Sequence, residues 1–281
     1  MYKVSLELNR VYWKYKGNDS FMRPKIYEGV EATCPYYTNK GNNIREDMYF
    51  LSEKFYKEYR NDYKFVLALS GGIDSELVAE TFKRLQIPFR AISLNIFNGR
   101  NKYDILHAYY YCKKNNIPHN IISLSLDNFI NNTIPKGVEL GQFCCSLSQV
   151  ALTHLFDFVD DNEILIFSGH NPDYHNKKGW GWLEDSPNLV KYAINAKKRF
   201  FTFTSLEPIF LHYKANVDLR KRGHKDNSFI YKEYSNLIMR PKYTGWETCA
   251  DIHYEYSSLL PKVFYKDTEE VVSVFITWKN K

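Results

Sequence analysis

No apolar run in this 281-residue chain approaches the ~18 residues that a membrane-spanning helix needs, so no membrane partner is expected. Cysteine is scarce. There are five, an odd number with no repeated spacing, which provides neither a disulfide framework nor zinc-ligand spacing. The opening residues Met1-Tyr2-Lys3-Val4-Ser5-Leu6-Glu7-Leu8 hold an acid within their apolar part and lack a small-residue cleavage site. We therefore expect no signal peptide, and a cytoplasmic protein with free thiols. Internal repeats and low-complexity tracts are also absent, which excludes collagen, coiled-coil and disordered architectures. Charge of one sign is nearly balanced: 38 Lys+Arg against 32 Asp+Glu leave a net +6. That excess permits an anionic partner without requiring one.

What remains is an ordinary globular composition, 44% hydrophobic and 25% charged, with an unusual share of rings, 23 Tyr and 19 Phe. At this length one full core can form, in one or two domains. The first segment alternates in strand fashion: Val4, Leu6 and Leu8, then Val11, Trp13 and Tyr15. Between Arg45 and Tyr59, Met48, Leu51, Phe55 and Tyr59 recur at helical spacing. The middle of the chain alternates between element types. Strands are expected at Phe65 to Leu69, Phe89 to Ile96, Asn120 to Leu126 and Glu163 to Phe167. Helices are expected at Ser75 to Leu85, Tyr103 to Asn115 and Leu147 to Phe158, the first two ending shortly before a proline. Such alternation implies a parallel sheet covered on both faces, with ligands bound beyond the carboxyl ends of its strands. Beyond about residue 190 the pattern loses its strands and reads as mainly helical. Val272, Val274, Ile276 and Trp278 then alternate as a terminal strand would.

One loop carries most of the chemistry. The apolar run Phe65–Leu69 passes directly into Ser70-Gly71-Gly72-Ile73-Asp74-Ser75. Five fixed residues in that order arise by chance in a chain of this length on the order of a few times in ten thousand, so the pattern merits a chemical reading. Two glycines bring backbone close to phosphate oxygens, and N–H groups of the following helix point at the anion. Ser70 and Ser75 add hydroxyl donors. Asp74 would repel phosphate directly and is better suited to Mg2+. The plainer reading is a strand-to-helix turn capped by Asp74 or Ser75. No G-K-[ST] follows, so this is not a Walker loop.

The S-G-G-I-D-S segment resembles the pyrophosphate-binding loop of the N-type ATP pyrophosphatases, the group of asparagine, GMP, NAD and argininosuccinate synthetases and several tRNA thiolases. The resemblance implies a doubly wound parallel sheet of the adenine nucleotide α-hydrolase type. It also implies ATP as cosubstrate and Mg2+ as cofactor. ATP would be cleaved between its α- and β-phosphates, a substrate oxygen adenylated, and AMP then displaced by a nucleophile.

Two further segments are similar to the asparagine synthetase branch. Ser168-Gly169-His170-Asn171-Pro172-Asp173 follows a strand and resembles that family's S-G-E-G-A-D loop, which implies Gly169 beside the adenosine and Asp173 as a second Mg2+ ligand. His170 stands where the family has an acid, which puts the substrate in question. An S-G-H-N-x-D form also resembles the tRNA-modifying branch. Arg240-Pro241-Lys242 is similar to the family's late R-x-K stretch, which implies Lys242 at the phosphates. The glutaminase half, with its cysteine directly after Met1, has no counterpart, since Tyr2 stands there. Ammonia is thus expected from solution or from a partner chain, or else the nucleophile is another amine or a sulfur donor.

The expectation is an AMP-forming carbon–nitrogen ligase acting on a small carboxylate, with Asp74 and Lys242 as catalytic residues. A nucleic-acid modification enzyme of the same superfamily is the alternative, and RNA is the less favoured partner. Residues 1–60 form an N-terminal extension of strands plus helix, 61–190 the ATP-binding α/β domain, and 191–281 a mainly helical part closing the site. Cys144-Cys145, the segment Lys177 to Trp182 and the basic run Arg220-Lys221-Arg222 are set aside as secondary signals, and oligomeric state is left open.

Overall fold

The computed structural model describes residues 44–140, 147–168, 172–175, 179–182, 192–193 and 196–202. Its first helix, α1 (Ile44–Tyr59), buries Met48, Ser52, Phe55 and Tyr59, one residue per turn along a single stripe. A short turn then leads into β1 (Lys64–Ala68), whose residues are buried after the first. The chain continues through α2 (Ile73–Arg84), β2 (Arg90–Ile96), α3 (Lys102–Asn115) and β3 (His119–Leu124). After β3 come α4 (Leu126–Asn128), a π-helical turn (Phe129–Thr133), α5 (Ile134–Glu139) and α6 (Leu147–Leu152). A 3-10 turn (Thr153–Phe158) then precedes β4 (Glu163–Phe167). β5 (Pro172–His175) and β6 (Gly179–Trp182) pair antiparallel as a separate ribbon, and β7 (Phe200–Thr202) rejoins the main sheet.

The main sheet has the order β3-β2-β1-β4-β7, and every neighbouring pair is parallel. The central strands β1 and β4 are short, nearly continuous apolar runs because both faces are covered, whereas the edge strand β3 is largely exposed. Side chains alternate between the faces. Phe65, Leu67, Leu69, Ala91, Ile164 and Ile166 join a core with α1, α2 and α3. Val66, Ala68, Ile92, Leu94, Leu165 and Phe167 face the other way and pack with Phe129, Ile134, Val150, Leu155, Phe156 and Tyr192. The expected α/β architecture with a doubly wound parallel sheet is thus present. Each fully buried aliphatic or aromatic side chain contributes about 1.5–3 kcal/mol, so the two cores rather than helix propensity hold the sheet.

At the amino ends of the strands, Arg90 reaches across β1 to Glu163 in a two-pronged pair. Nε donates to Oε1 at 2.8 Å and Nη2 to Oε2 at 2.6 Å. The same guanidinium donates to the Phe158 carbonyl at 2.9 Å, and the Asp160 N–H donates to Glu163 at 3.0 Å. Donating to Glu163 holds the Arg90 guanidinium pKa above its ordinary value. Burial alone would raise the Glu163 carboxyl, but Arg90 and the Asp160 N–H outweigh it and hold the group below its ordinary range. This fork ties β2 to β4, the two strands that flank β1.

The sequence pattern and the structure differ in several places, among them the helical run Leu126–Glu139 after β3, where the expected strand stops at Leu124. The helix expected from Leu147 to Phe158 is α-helical only to Leu152 and tightens to 3-10 geometry from Thr153, whose hydroxyl donates to the Val150 carbonyl at 2.6 Å. Strands do not stop near residue 190: β7 lies parallel to β4, pairing Leu165 with Phe200. The segment Lys177 to Trp182, set aside as a secondary signal, contains β6. The N-terminal strands and the C-terminal helices and strand expected from the sequence lie outside the described residues.

Candidate functional site

The strand order reverses between β1 and β4. The chain steps from β1 outward to β2 and β3, then returns to the opposite side of β1 for β4. In open α/β sheets the crevice beyond the carboxyl ends at such a switch point is where ligands bind. The loop Ser70–Ser75 leaves the end of β1 and Ser168 follows the end of β4, so the two flank that crevice.

The loop is held by its own hydroxyls. Ser75 is buried, and its Oγ donates to the Gly72 carbonyl at 3.0 Å. Its only proton is spent there, so it accepts from the Ser70 N–H at 3.2 Å and from the Ser70 hydroxyl at 3.1 Å. Ser70 Oγ in turn accepts from the Gly72 N–H at 3.2 Å. Ser75 thereby fixes the loop from beneath, while the exposed Ser70 lies at its surface.

Gly71 has φ +86°, a left-handed conformation that only glycine adopts without strain. It also lies directly against the first turn of α3. A Cβ at this position would overlap the Asp104 carbonyl oxygen and sit 2.8 Å from the carbonyl carbon. Here the glycine is required on both counts. Gly72 differs: it is the N-cap of α2 with φ −72° and ψ 161°, angles open to any residue, and it makes no side-chain cap.

That last feature decides between the two readings of the segment. Asp74 and Ser75 lie inside α2 and do not cap it. The cap residue carries no side chain, so no N-cap side chain covers the end of this 12-residue helix, and helix ends of this kind receive anions. Asp74 stands in this same turn, with Oδ1 shielded from solvent. The neighbouring acid, Glu76, is also buried, a feature not singled out in the sequence. Glu76 acts electrostatically on Tyr111 and Cys112 of α3, which leaves Asp74 as the acid of the loop itself.

Further groups brace the crevice. The Leu69 carbonyl, immediately before the loop, accepts from Ser93 Oγ at 2.5 Å. That hydroxyl accepts in turn from His119 Nε2 at 2.7 Å, which places a proton on Nε2. Burial lowers the His119 pKa below its ordinary value, favouring the neutral ring. Across the switch point, the Ser168 hydroxyl is buried with no hydrogen-bond partner among the described residues. A buried orphan hydroxyl at the carboxyl end of a strand is suited to a ligand. Beyond β2, Phe97, Asn98 and Gly99 all have positive φ, and Asn101 holds the turn by accepting from the Ile96 N–H and donating to the Leu94 carbonyl, both at 2.8 Å. A buried Phe97 at φ +47° is strained, and such strain gathers at ligand sites. The Asn98-Gly99 pair was its only signal in the sequence.

The structure places the other expected residues unevenly. The backbone of Asp173 lies in β5, opposite Gly181 of β6, and β5 begins five residues after the end of β4. Gly169, His170, Cys144, Cys145 and Lys242 lie outside the described residues. Cys112 is buried on α3. Burial, with a contribution from Glu76, pushes its thiol up to about 12, so it is not a reactive thiolate. No cluster of three metal-ligating side chains occurs among the described residues. None of their helices is long and apolar enough to cross a membrane.

No protein-family model matches the chain, and no curated protein matches it. Among solved structures it is similar to an NH3-dependent NAD synthetase from Campylobacter jejuni, 27% identical over 44% of this chain and 54% of that one, with TM-score 0.33. It is also similar to NMN synthetase from Francisella tularensis, 16% identical over 79% and 97%, with TM-score 0.36. A third is a predicted subunit of tRNA methyltransferase from Methanocaldococcus jannaschii, 14% identical over 69% and 87%, with TM-score 0.37. The chain spans about half the length of the first of these. Overlaps this partial leave any functional reading to the residues of the crevice.

Proposed function

We propose that the chain is an N-type ATP pyrophosphatase, an adenylating synthetase that forms AMP and pyrophosphate. The observation that carries this reading is the S-G-G-I-D-S loop at the switch point, with an uncapped helix N-terminus behind it and Gly71 pinned where no side chain fits. The triphosphate lies over Ser70–Ser75, taking the first-turn N–H groups of α2 and the Ser70 hydroxyl. Ser75 keeps the loop in shape. Gly169 and Ser168 approach the nucleotide from the β4 side.

The donor set fits Mg2+, which is commonly held by one or two carboxylates together with substrate phosphates and needs no all-protein cage. Asp74 and Asp173 would hold it. Once bound, it neutralises charge on the departing pyrophosphate. A carboxylate oxygen of the acceptor attacks the α-phosphorus, the bond to pyrophosphate breaks, and an acyl adenylate forms. An amine, ammonia in the simplest case, then attacks the acyl carbon. AMP leaves with the electron pair of the broken bond, and the amine loses a proton. We assign Lys242, by its place in the Arg240-Pro241-Lys242 stretch, to charge stabilisation at the phosphates, which in a dry site supplies several kcal/mol.

Asp74→Ala tests the assignment. The variant is expected to fold as the parent does and to release no pyrophosphate from ATP. Full pyrophosphate release by folded Asp74→Ala would contradict it.

A further inference from the structure

The solvent side of α3 has a composition that ordinary helix faces avoid. Toward the sheet the helix buries Asp104, Ala108 and Cys112. On the opposite side Tyr103 is 63% exposed and Tyr110 62%, with Leu106 and Tyr109 exposed beside them. A solvated face usually carries charged residues of both signs rather than a row of rings. Here the helix's single carboxylate is the buried Asp104, so the lysines on the exposed side, Lys102, Lys113 and Lys114, meet no acid from their own helix. Two of them already lie over rings: Lys102 Nζ is 5.1 Å from the Tyr103 centroid, and Lys113 Nζ is 5.8 Å from that of Tyr109.

We infer that this face docks single-stranded RNA. Ring faces take bases by stacking, and lysines of one sign take the phosphates between them. A folded protein partner would cover the rings but leave one-signed lysines unexplained. RNA suits the surface better than duplex DNA, because RNA loops present unpaired bases splayed outward. Tyr103 and Tyr110 are two helical turns apart, about 10 Å along the axis, with Leu106 between them as an apolar floor. The helix begins against Gly71, so a strand lying along it toward Lys102 runs up to the edge of the S-G-G loop. The inference stands apart from how that loop cleaves ATP.

Fluorescence anisotropy with a short, labelled, mixed-sequence single-stranded RNA, without ATP, tests it. The parent protein should bind, and Tyr103→Ala/Tyr110→Ala should bind at least about tenfold more weakly with unchanged thermal unfolding, because both rings are exposed. Tyr103→Phe/Tyr110→Phe keeps the stacking faces and should bind as the parent does. Lys102→Ala/Lys113→Ala should flatten the salt dependence by roughly one unit of slope per lysine. Absence of binding by the parent protein, equal binding by the alanine pair, or equal binding of duplex RNA would overturn the inference. So would a concentration-dependent dimer that the alanine pair abolishes, since that would assign the face to a second copy of the chain.

Discussion

Adding one methyl group at Gly71 should disable the loop, whereas the same addition at Gly72 should be tolerated. At Gly71 the backbone sits at φ +86°, which costs an alanine about 1–2 kcal/mol. The new Cβ also falls 2.8 Å from the Asp104 carbonyl carbon. Carbon contacts rest at about 3.5–4.0 Å, so the loop and α3 must part by roughly 1 Å. The neighbour is backbone and cannot rotate away, and overpacking of this kind costs about 1–3 kcal/mol. Together these amount to about 2–5 kcal/mol, or a fall in Tm of at least about 4 °C. A misplacement of this size at a reacting centre costs about a hundredfold in rate. At Gly72 the angles suit any residue, and the poorer N-cap character of alanine costs about 1 kcal/mol, less than the combined cost at Gly71. Thermal unfolding and a coupled pyrophosphate-release assay on the two variants decide the matter. If Gly71→Ala proved no worse than Gly72→Ala in either readout, the geometric argument for the loop would fail.

Ser75→Ala removes a buried hydroxyl with three partners and takes from the Ser70 N–H its side-chain acceptor, while the Gly72 carbonyl keeps the Glu76 N–H. It should cost about 1–3 kcal/mol and lower pyrophosphate release, whereas Ser70→Ala should spare stability and affect only the reaction, as calorimetry and the same assay would report. Glu163→Gln breaks the fork to Arg90 and should destabilise by about 2–4 kcal/mol without touching the crevice. Its pH dependence has a definite sign. The folded carboxyl lies below its ordinary value of 4.5, so its contribution is complete above that pH and is lost as pH falls through the folded value. The parent should therefore lose its advantage over Glu163→Gln as Tm is measured at successively lower pH beneath 4.5, and a gap that stays constant would disprove the linkage.

The parts of the fold that were legible in the sequence are those where local signals and tertiary packing agree. β4 was read with its observed bounds, Glu163 to Phe167, because four buried apolar residues in a row follow Glu163 after a polar turn. The S-G-G loop was legible because its glycines, its preceding strand and its following helix all specify one geometry. β7 was not, since three residues are too few for a period and their pairing with β4 is a tertiary event. The helical run after β3 is masked in sequence by Asn128, Asn131, Asn132 and Pro135. It starts because Ser125 Oγ accepts from the Asn128 N–H at 3.1 Å, and it passes through a π-helical turn before the proline. The direction of the Ser75 hydroxyl and the contact of Gly71 with α3 depend on residues distant in sequence or on the folded turn itself. No spacing rule reveals them. Asp173 and Lys242 entered through resemblance to a family and remain assignments to be tested by substitution.

The most direct measurement is of the products formed from ATP. The full chain is incubated with ATP, Mg2+, ammonium and either an amino-acid pool or total RNA, and the nucleotides are separated and weighed by mass spectrometry. The account predicts AMP and pyrophosphate in equal amounts, dependent on the amino-acid pool and lost in Asp74→Ala, whereas dependence on RNA alone would move the acceptor to the nucleic-acid alternative. ADP and phosphate as the products would contradict it, because the bond broken would then lie on the other side of the β-phosphate.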